Sequence, residues 1–239
     1  SYREPSLVTG SDKNLSWQYA AGTENDANKN YYQILSTINN INSPETFGQY
    51  MNKKFTEMVE SVKKYGGFYV GTYETSRWNA SSTSNSDNSG NIVKSVAGAT
   101  PMARTTWYDM YLRSNSEYAN NPYYNSTSVT SEMIWGCQYD AMLNYLLEGS
   151  DKVKVTQRTG NHSGTRSVTG EYPNDIMNNI FDLSSNIREW TQEAYSSQYR
   201  TIRGGAYYTD NTDATDVRYY YRSILTNDYV GSRLTLYLK

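Results

Sequence analysis

The clearest period along the chain begins at Ser43-Pro44-Glu45, where Ser as N-cap, Pro in the first turn and an acid at the positive end of the dipole predict a helix start. Phe47, Met51, Phe55, Met58, Val59 and Val62 then fall on one face, and the pattern stops near Tyr65 at Gly66-Gly67. This predicts a helix over 44–64. Phe68 to Glu74 reads as a strand, and 79–92 as a mobile Ser/Asn-rich loop. From Val93 to Tyr124 no period is sustained, although Trp107 and Met110 are expected inside. Thr130-Ser131-Glu132 has the form of a second helix start, predicting a helix over 131–147 with Met133, Ile134, Cys137, Ala141, Tyr145 and Leu146 inward and Gly149 as its stop. Residues 151–174 read as one long loop, a length usually reserved for function or mobility. The last strand is expected at Gly231–Lys239, with Leu234, Leu236 and Leu238 alternating imperfectly against Thr235 and Tyr237. Residues 1–42 are polar and aperiodic and read as an N-terminal arm or linker, leaving 43–239 as one domain.

The stretch from Ile180 to Tyr208 organises the rest. Trp190 is a large indole beside the Glu189 carboxylate, which suggests a buried anchor. Tyr199 to Tyr208 reads as a strand broken at Gly204-Gly205, a sign of a bulge or of another backbone passing close. Leu183, Asn186, Ile187, Glu189, Trp190, Thr191, Arg203, Gly204, Gly205, Arg222, Gly231 and Arg233 together resemble the motif of the formylglycine-generating-enzyme (sulfatase-modifying-factor) family. Gly67–Glu74 looks like that family's first strand and Thr105–Asp109 like its Trp-containing step, so the resemblance covers roughly 65–239. Arg188 and Ser232 depart from it, standing where the family usually has Trp and Phe. The resemblance implies an α+β, C-type-lectin-like fold: two helices around a small twisted antiparallel sheet, with much irregular structure. It does not by itself imply an activity, because one fold hosts many functions.

Charge and composition narrow the function. The net charge is −2, which gives no electrostatic footprint for nucleic acid, and no apolar run has the length of a membrane span. The family's oxidase chemistry, as the resemblance implies, needs a pair of copper-binding cysteines near the C-terminus. This chain has one Cys, Cys137, read as a small packed residue. A related branch uses a His-rich iron site, and the only His here is His162, read as a solvated loop residue. The sequence therefore gives an enzyme no residues to work with. Calcium is the one metal weighed: Asp182, Asn186 and Glu189 are hard oxygen donors around a turn, and members of the resembled family bind calcium near this motif. The alternative is that these side chains hold backbone amides.

Residues 206–229, AYYTDNTDATDVRYYYRSILTNDY, are the most unusual in composition. They lie between the Arg203-Gly204-Gly205 and Gly231-Ser232-Arg233 pieces of the motif. Tyr gives rigid amphipathic contact area, and Ser, Asn and Asp give adaptable hydrogen bonds, which is the chemistry of a paratope. Codons derived from AAC by changes at adenine would yield much of this composition. The segment resembles the variable region of proteins diversified by diversity-generating retroelements, which share the lectin-like fold. That resemblance implies contact residues Tyr207, Tyr208, Asp210, Asn211, Asp213, Tyr219, Tyr220, Tyr221, Asn227, Asp228 and Tyr229, expected as one exposed patch. It implies a non-enzymatic receptor or adhesion protein of a phage tail or bacterial surface, whose partner is a protein or other macromolecule on a target cell. An inert structural protein of a prophage is the alternative, an enzyme with an unrecognised site a third, and an oligomer is compatible with each.

Overall fold

The computed structural model describes residues 25–26, 29–30, 35–38, 41, 44–77, 93–119, 121–149, 152–195, 199–208 and 214–239. The loop expected at 79–92 and most of the N-terminal arm lie outside these residues. In chain order the strands are β1 (Asn25–Asp26), β2 (Lys29–Asn30), β3 (Tyr69–Val70), β4 (Ser76–Arg77), β5 (Val93–Lys94), β6 (Val129–Met133), β7 (Arg188–Ala194), β8 (Tyr199–Arg203), β9 (Arg218–Arg222), β10 (Val230–Ser232) and β11 (Leu234–Leu238). The helices are α1 (Pro44–Tyr65), α2 (Trp107–Ser114), α3 (Gly136–Glu148) and the single turn α4 (Lys152–Val155). None of the described helices is long and apolar enough to cross a membrane.

The architecture is α+β, with helices packed on two small sheets, beside which β1-β2 and β4-β5 form two-stranded pairs. One sheet has the order β10-β7-β8-β9 and the other β3-β11-β6. The first is mixed rather than antiparallel as expected, because β10 runs parallel to β7. The chain leaves one sheet and enters the other between β10 and β11, at Arg233. That side chain is fully buried and ties the junction down: it pairs with Glu189 of β7 and donates to the carbonyls of Gly71 and Phe181.

Helix α1 matches the sequence expectation closely. Phe47, Met51 and Met58 are buried, with Phe55, Val59 and Val62 half-buried against the same core. Gly66 ends the helix at φ +82°, its N–H donating to the carbonyl of Val62, as a left-handed C-terminal residue does. Leu35, Ile38 and Ile41, assigned to the arm by their polar surroundings, are buried in the core that Phe47 enters.

Other expectations need correction as well. Thr130-Ser131-Glu132 does not cap a helix; it lies in β6, paired with β11, and α3 starts only at Gly136. The reason is tertiary. Glu132 is completely buried, where it accepts from Trp135 Nε1 (2.8 Å) and Tyr237 Oη (3.2 Å) and faces Lys54 of α1. The true start of α3 is fixed by Gln138, whose Oε1 accepts from the Trp135 N–H at 3.0 Å. The shift in start turns the helix. Tyr139, Met142, Leu143 and Leu146 face inward, Ala141 and Tyr145 are exposed, and Cys137 is half-buried. Next, the segment read as irregular contains α2. Thr106 caps it, accepting from the Asp109 N–H at 3.1 Å, and its Trp107, Met110 and Tyr111 are fully buried. Last, in β11 it is Thr235 and Tyr237 that are buried beside Leu234, while Leu236 and Leu238 are only half-buried. The strand expected over 68–74 is reduced to Tyr69–Val70.

Burial pushes the Glu132 carboxyl up to about 7, against the pull of Lys54 and of its hydrogen bonds. A carboxyl with a raised folded pKa contributes stability that is present below its unfolded value and lost as pH rises through the folded one. Between pH 4.5 and about 7, Glu132 should therefore draw the melting temperature down. The Glu132→Gln variant, neutral throughout, should show a flatter melting profile across that window. An identical profile in the variant would contradict this assignment.

Candidate functional site, a tyrosine surface

The site is built outward from the end of β8. Trp190 in β7 is fully buried, and its register partner in β8 is Ile202. Trp107 lies against the same strand, donating from Nε1 to the Thr191 carbonyl at 2.8 Å, with the Arg200 guanidinium over its ring at 4.1 Å. Beyond Arg203 the chain runs against the backbone of Leu183 and Ser184. A Cβ on Gly204, where φ is +77°, would stand 2.5 Å from the Leu183 carbonyl oxygen, and one on Gly205 would stand 1.9 Å from that of Ser184. Only glycine allows two backbones so close. The chain then emerges at Tyr207, whose N–H donates to the Asn186 carbonyl at 2.8 Å and whose carbonyl accepts from Gly164 at 3.0 Å.

Asn186 thus serves as a floor for the tyrosine segment. It sits at φ +58°, its Nδ2 donates to Glu74 at 2.7 Å, and its Oδ1 accepts from the Ser167 N–H at 3.0 Å. Asp182 accepts from the Gly170 N–H at 2.7 Å, and Glu189 is paired with Arg233. Each of the three candidate calcium ligands therefore has a protein partner, while Asp182 Oδ1 and Glu189 Oε2 are buried without one. Among the described residues no group of three or more His, Cys, Asp or Glu is arranged to hold a metal. Burial also raises the carboxyls of Glu74, Asp182 (to about 6) and Glu189.

His162 is not a solvated loop residue. It is half-buried, and its ring nitrogens lie 2.9 Å from the Thr159 carbonyl and 3.2 Å from that of Ala206, so it links the 159–165 loop to the residue before Tyr207. The long loop is itself tied down. Thr159, Ser184 and Ser185 surround the buried Asp175, and the side chain of Asn161 is held by the Thr165 carbonyl.

None of the six tyrosines of 206–229 is buried. Tyr208, Tyr219 and Tyr220 are exposed, at 43%, 42% and 50%, and Tyr207, Tyr221 and Tyr229 are half-buried. They form two groups rather than one. Tyr208 packs on Tyr229 with ring centroids 4.2 Å apart, Tyr207 meets Tyr208 edge-on, and Tyr221 lies between Tyr229 and the buried Trp190. Arg188 joins this group: its guanidinium lies 4.5 Å from the Tyr219 ring, and Nη1 donates to Tyr208 Oη at 3.0 Å. Asn227 donates to Tyr221 Oη, and Asp228 pairs with Arg104 at 3.4 Å. Tyr220 belongs to a second group, stacked on Tyr195 at 4.0 Å and edge-on to Tyr199. Asp210, Asn211 and Asp213 lie outside the described residues. Sequence reasoning missed Arg188, Tyr195 and Tyr199. The departure of Arg188 from the motif was the one signal that pointed to it.

No family model and no curated protein matches the sequence. Among solved structures the chain is distantly similar to Treponema denticola variable protein 1, at 12% identity over 57% of this chain and 70% of that one, with a TM-score of 0.40. It is similar to the same degree to CarF, at 13% identity over 77% of this chain and 82% of that one, with a TM-score of 0.41. Superpositions this loose leave the functional reading to the chain's own residues.

Proposed function

We propose that this chain is a non-enzymatic ligand-binding protein that presents a diversified tyrosine-rich surface on a C-type-lectin-like scaffold of the formylglycine-generating type, a 43–239 domain into whose core Leu35, Ile38 and Ile41 also pack. One observation carries the reading. The tyrosines of 206–229 are exposed or half-exposed and gather in two groups, while the motif residues on either side of them are buried. Rigid frame and adaptable surface are thereby separated within one short stretch, as in a paratope. Support for the scaffold comes from the motif residues meeting one another: Glu189 on Arg233, and Gly204-Gly205 on Leu183-Ser184. Support for a non-catalytic role comes from Cys137, whose thiol burial pushes up to about 12, far from a reactive thiolate. The partner is a macromolecule on a target cell, met from a virion tail or a bacterial surface.

Three measurements test this. A near-copy of the 206–229 coding segment carrying adenines at the varied codons, beside a reverse transcriptase gene, is the expected genomic finding. In the protein, Tyr207→Ser, Tyr208→Ser and Tyr219→Ser combined should move the melting temperature by no more than about 3 °C, since surface changes cost little. Unfolding of that triple variant would show that the tyrosines serve the core and would overturn the reading. Oxygen consumption with copper and a cysteine-containing peptide, lost in Cys137→Ser, would overturn its non-catalytic part.

A further inference from the structure

The arrangement of β9 says how a ligand is engaged, on the basis of the function just proposed. Strand β9, Arg-Tyr-Tyr-Tyr-Arg, is the last strand of its sheet. At the opposite edge β10 is covered, its Ser232 carbonyl accepting from the Thr75 N–H at 2.8 Å. Among the described residues no strand pairs on the outer side of β9. Successive residues of a strand point to opposite faces. The register puts Tyr219 in a row with Ile202 and Trp190, and Tyr221 beside Arg200, on the face that carries Tyr208, Tyr229 and Arg188. Arg218, Tyr220 and Arg222 lie on the other face, where Tyr220 meets Tyr195 and Tyr199. A flat partner laid on either face would reach only one of these groups. An extended segment added along the edge would lie beside both.

We infer that β9 is a docking edge on which the ligand adds a strand, and that the added segment is a polypeptide carrying carboxylates. The charge pattern selects the occupant. If a second copy paired antiparallel about Tyr220, Arg218 would face Arg222 of that copy, and like charges directly opposite are unfavourable. Unguarded edges invite such self-pairing, and charges on the edge strand are the usual defence. An acidic segment meets the same arginines favourably. Arg218 already lies against Asp140 and Glu193, whereas the half-buried Arg222 makes no ion pair among the described residues, so the Arg222 end is where the ligand carboxylate belongs. In this mode backbone hydrogen bonds supply affinity and alternate side chains supply specificity.

The test selects short random peptides displayed against the immobilised full chain. Recovered peptides are synthesised and titrated against wild type and the Tyr208→Ala, Tyr219→Ala, Tyr220→Ala and Arg222→Gln variants. The expected peptides are enriched in Asp and Glu. They should weaken about tenfold or more with Tyr219→Ala and with Tyr220→Ala, although the two side chains lie on opposite faces. Arg222→Gln should weaken the acidic peptides and reduce the salt dependence of their binding. N-methylation along the peptide should abolish binding at every second residue and be tolerated between. Peptides that need Tyr208 and Tyr219 but are indifferent to Tyr220 and to N-methylation would overturn the edge docking and leave the tyrosine surface standing. Recovery of no peptide that depends on any of these tyrosines would overturn both.

Discussion

Gly205→Ala should lower the melting temperature by roughly 10–15 °C, the equivalent of about 3–5 kcal/mol in a chain of this size. The added methyl would stand 1.9 Å from the Ser184 carbonyl oxygen and 2.5 Å from its carbon, both backbone atoms that cannot rotate away. Relief requires the two segments to separate. That stretches the Gly205 N–H bond to the Leu183 carbonyl and the Tyr207 N–H bond to that of Asn186, each worth roughly 1 kcal/mol. The same separation frees the point where the chain emerges toward Tyr208, so surface and frame should suffer together. Gly67→Ala is the control, because a Cβ there meets nothing within 4 Å. A melting temperature for Gly205→Ala within about 2 °C of that of Gly67→Ala would refute the close-approach account.

Legibility in the sequence followed the range of the interactions involved. Helix α1 was readable because its signals are local: a 3.6-residue period opened by Pro44 and closed by Gly66. The glycine pair was readable too, since two glycines after Arg203 signal a bulge or a close approach, and the backbone of Leu183-Ser184 lies against them. Thr130-Ser131-Glu132 misled because its cap chemistry is genuine yet outweighed. Glu132 meets Lys54 from α1, and the strand it occupies pairs with β11 at the far end of the chain. Helix α2 carried a sufficient local signal in Thr106 and Asp109, three residues apart, but it is too short for a period to show.

The same division holds at the site. Composition marked 206–229 as surface, and the tyrosines are exposed or half-exposed. Composition could not divide them, because which face Tyr219 and Tyr220 take is set by the pairing of β9 with β8. The partners of the calcium candidates were hidden for a related reason. Asp182, Asn186 and Glu189 are close in sequence, but their partners are Gly170, Glu74 and Arg233, which come from three other parts of the chain. A cluster of oxygens around a turn looks alike in sequence whether it faces an ion or a set of backbone amides.

Trp190→Ala should cost about 3–5 kcal/mol, the range for emptying a fully packed aromatic site. Trp190 is completely buried in the core that also holds Trp107, Ile202 and Val230. Its strand is held on both sides, by β8 and by β10, so the backbone cannot close the cavity. One detail separates packing from polarity. The indole Nε1 of Trp190 is buried without a hydrogen-bond partner, so the side chain is retained for its shape and apolar area. Trp190→Phe removes that unsatisfied donor while keeping an aromatic ring, and should cost less than about 1.5 kcal/mol. Tyr221 rests against Trp190 at a centroid distance of 6.1 Å, so the alanine variant should also loosen the tyrosine surface from beneath. Denaturant titrations check both: the midpoint should fall strongly for Ala and slightly for Phe, with the slope unchanged. Equal losses in the two variants would mean that the indole N–H, and not the packing, is what the site requires.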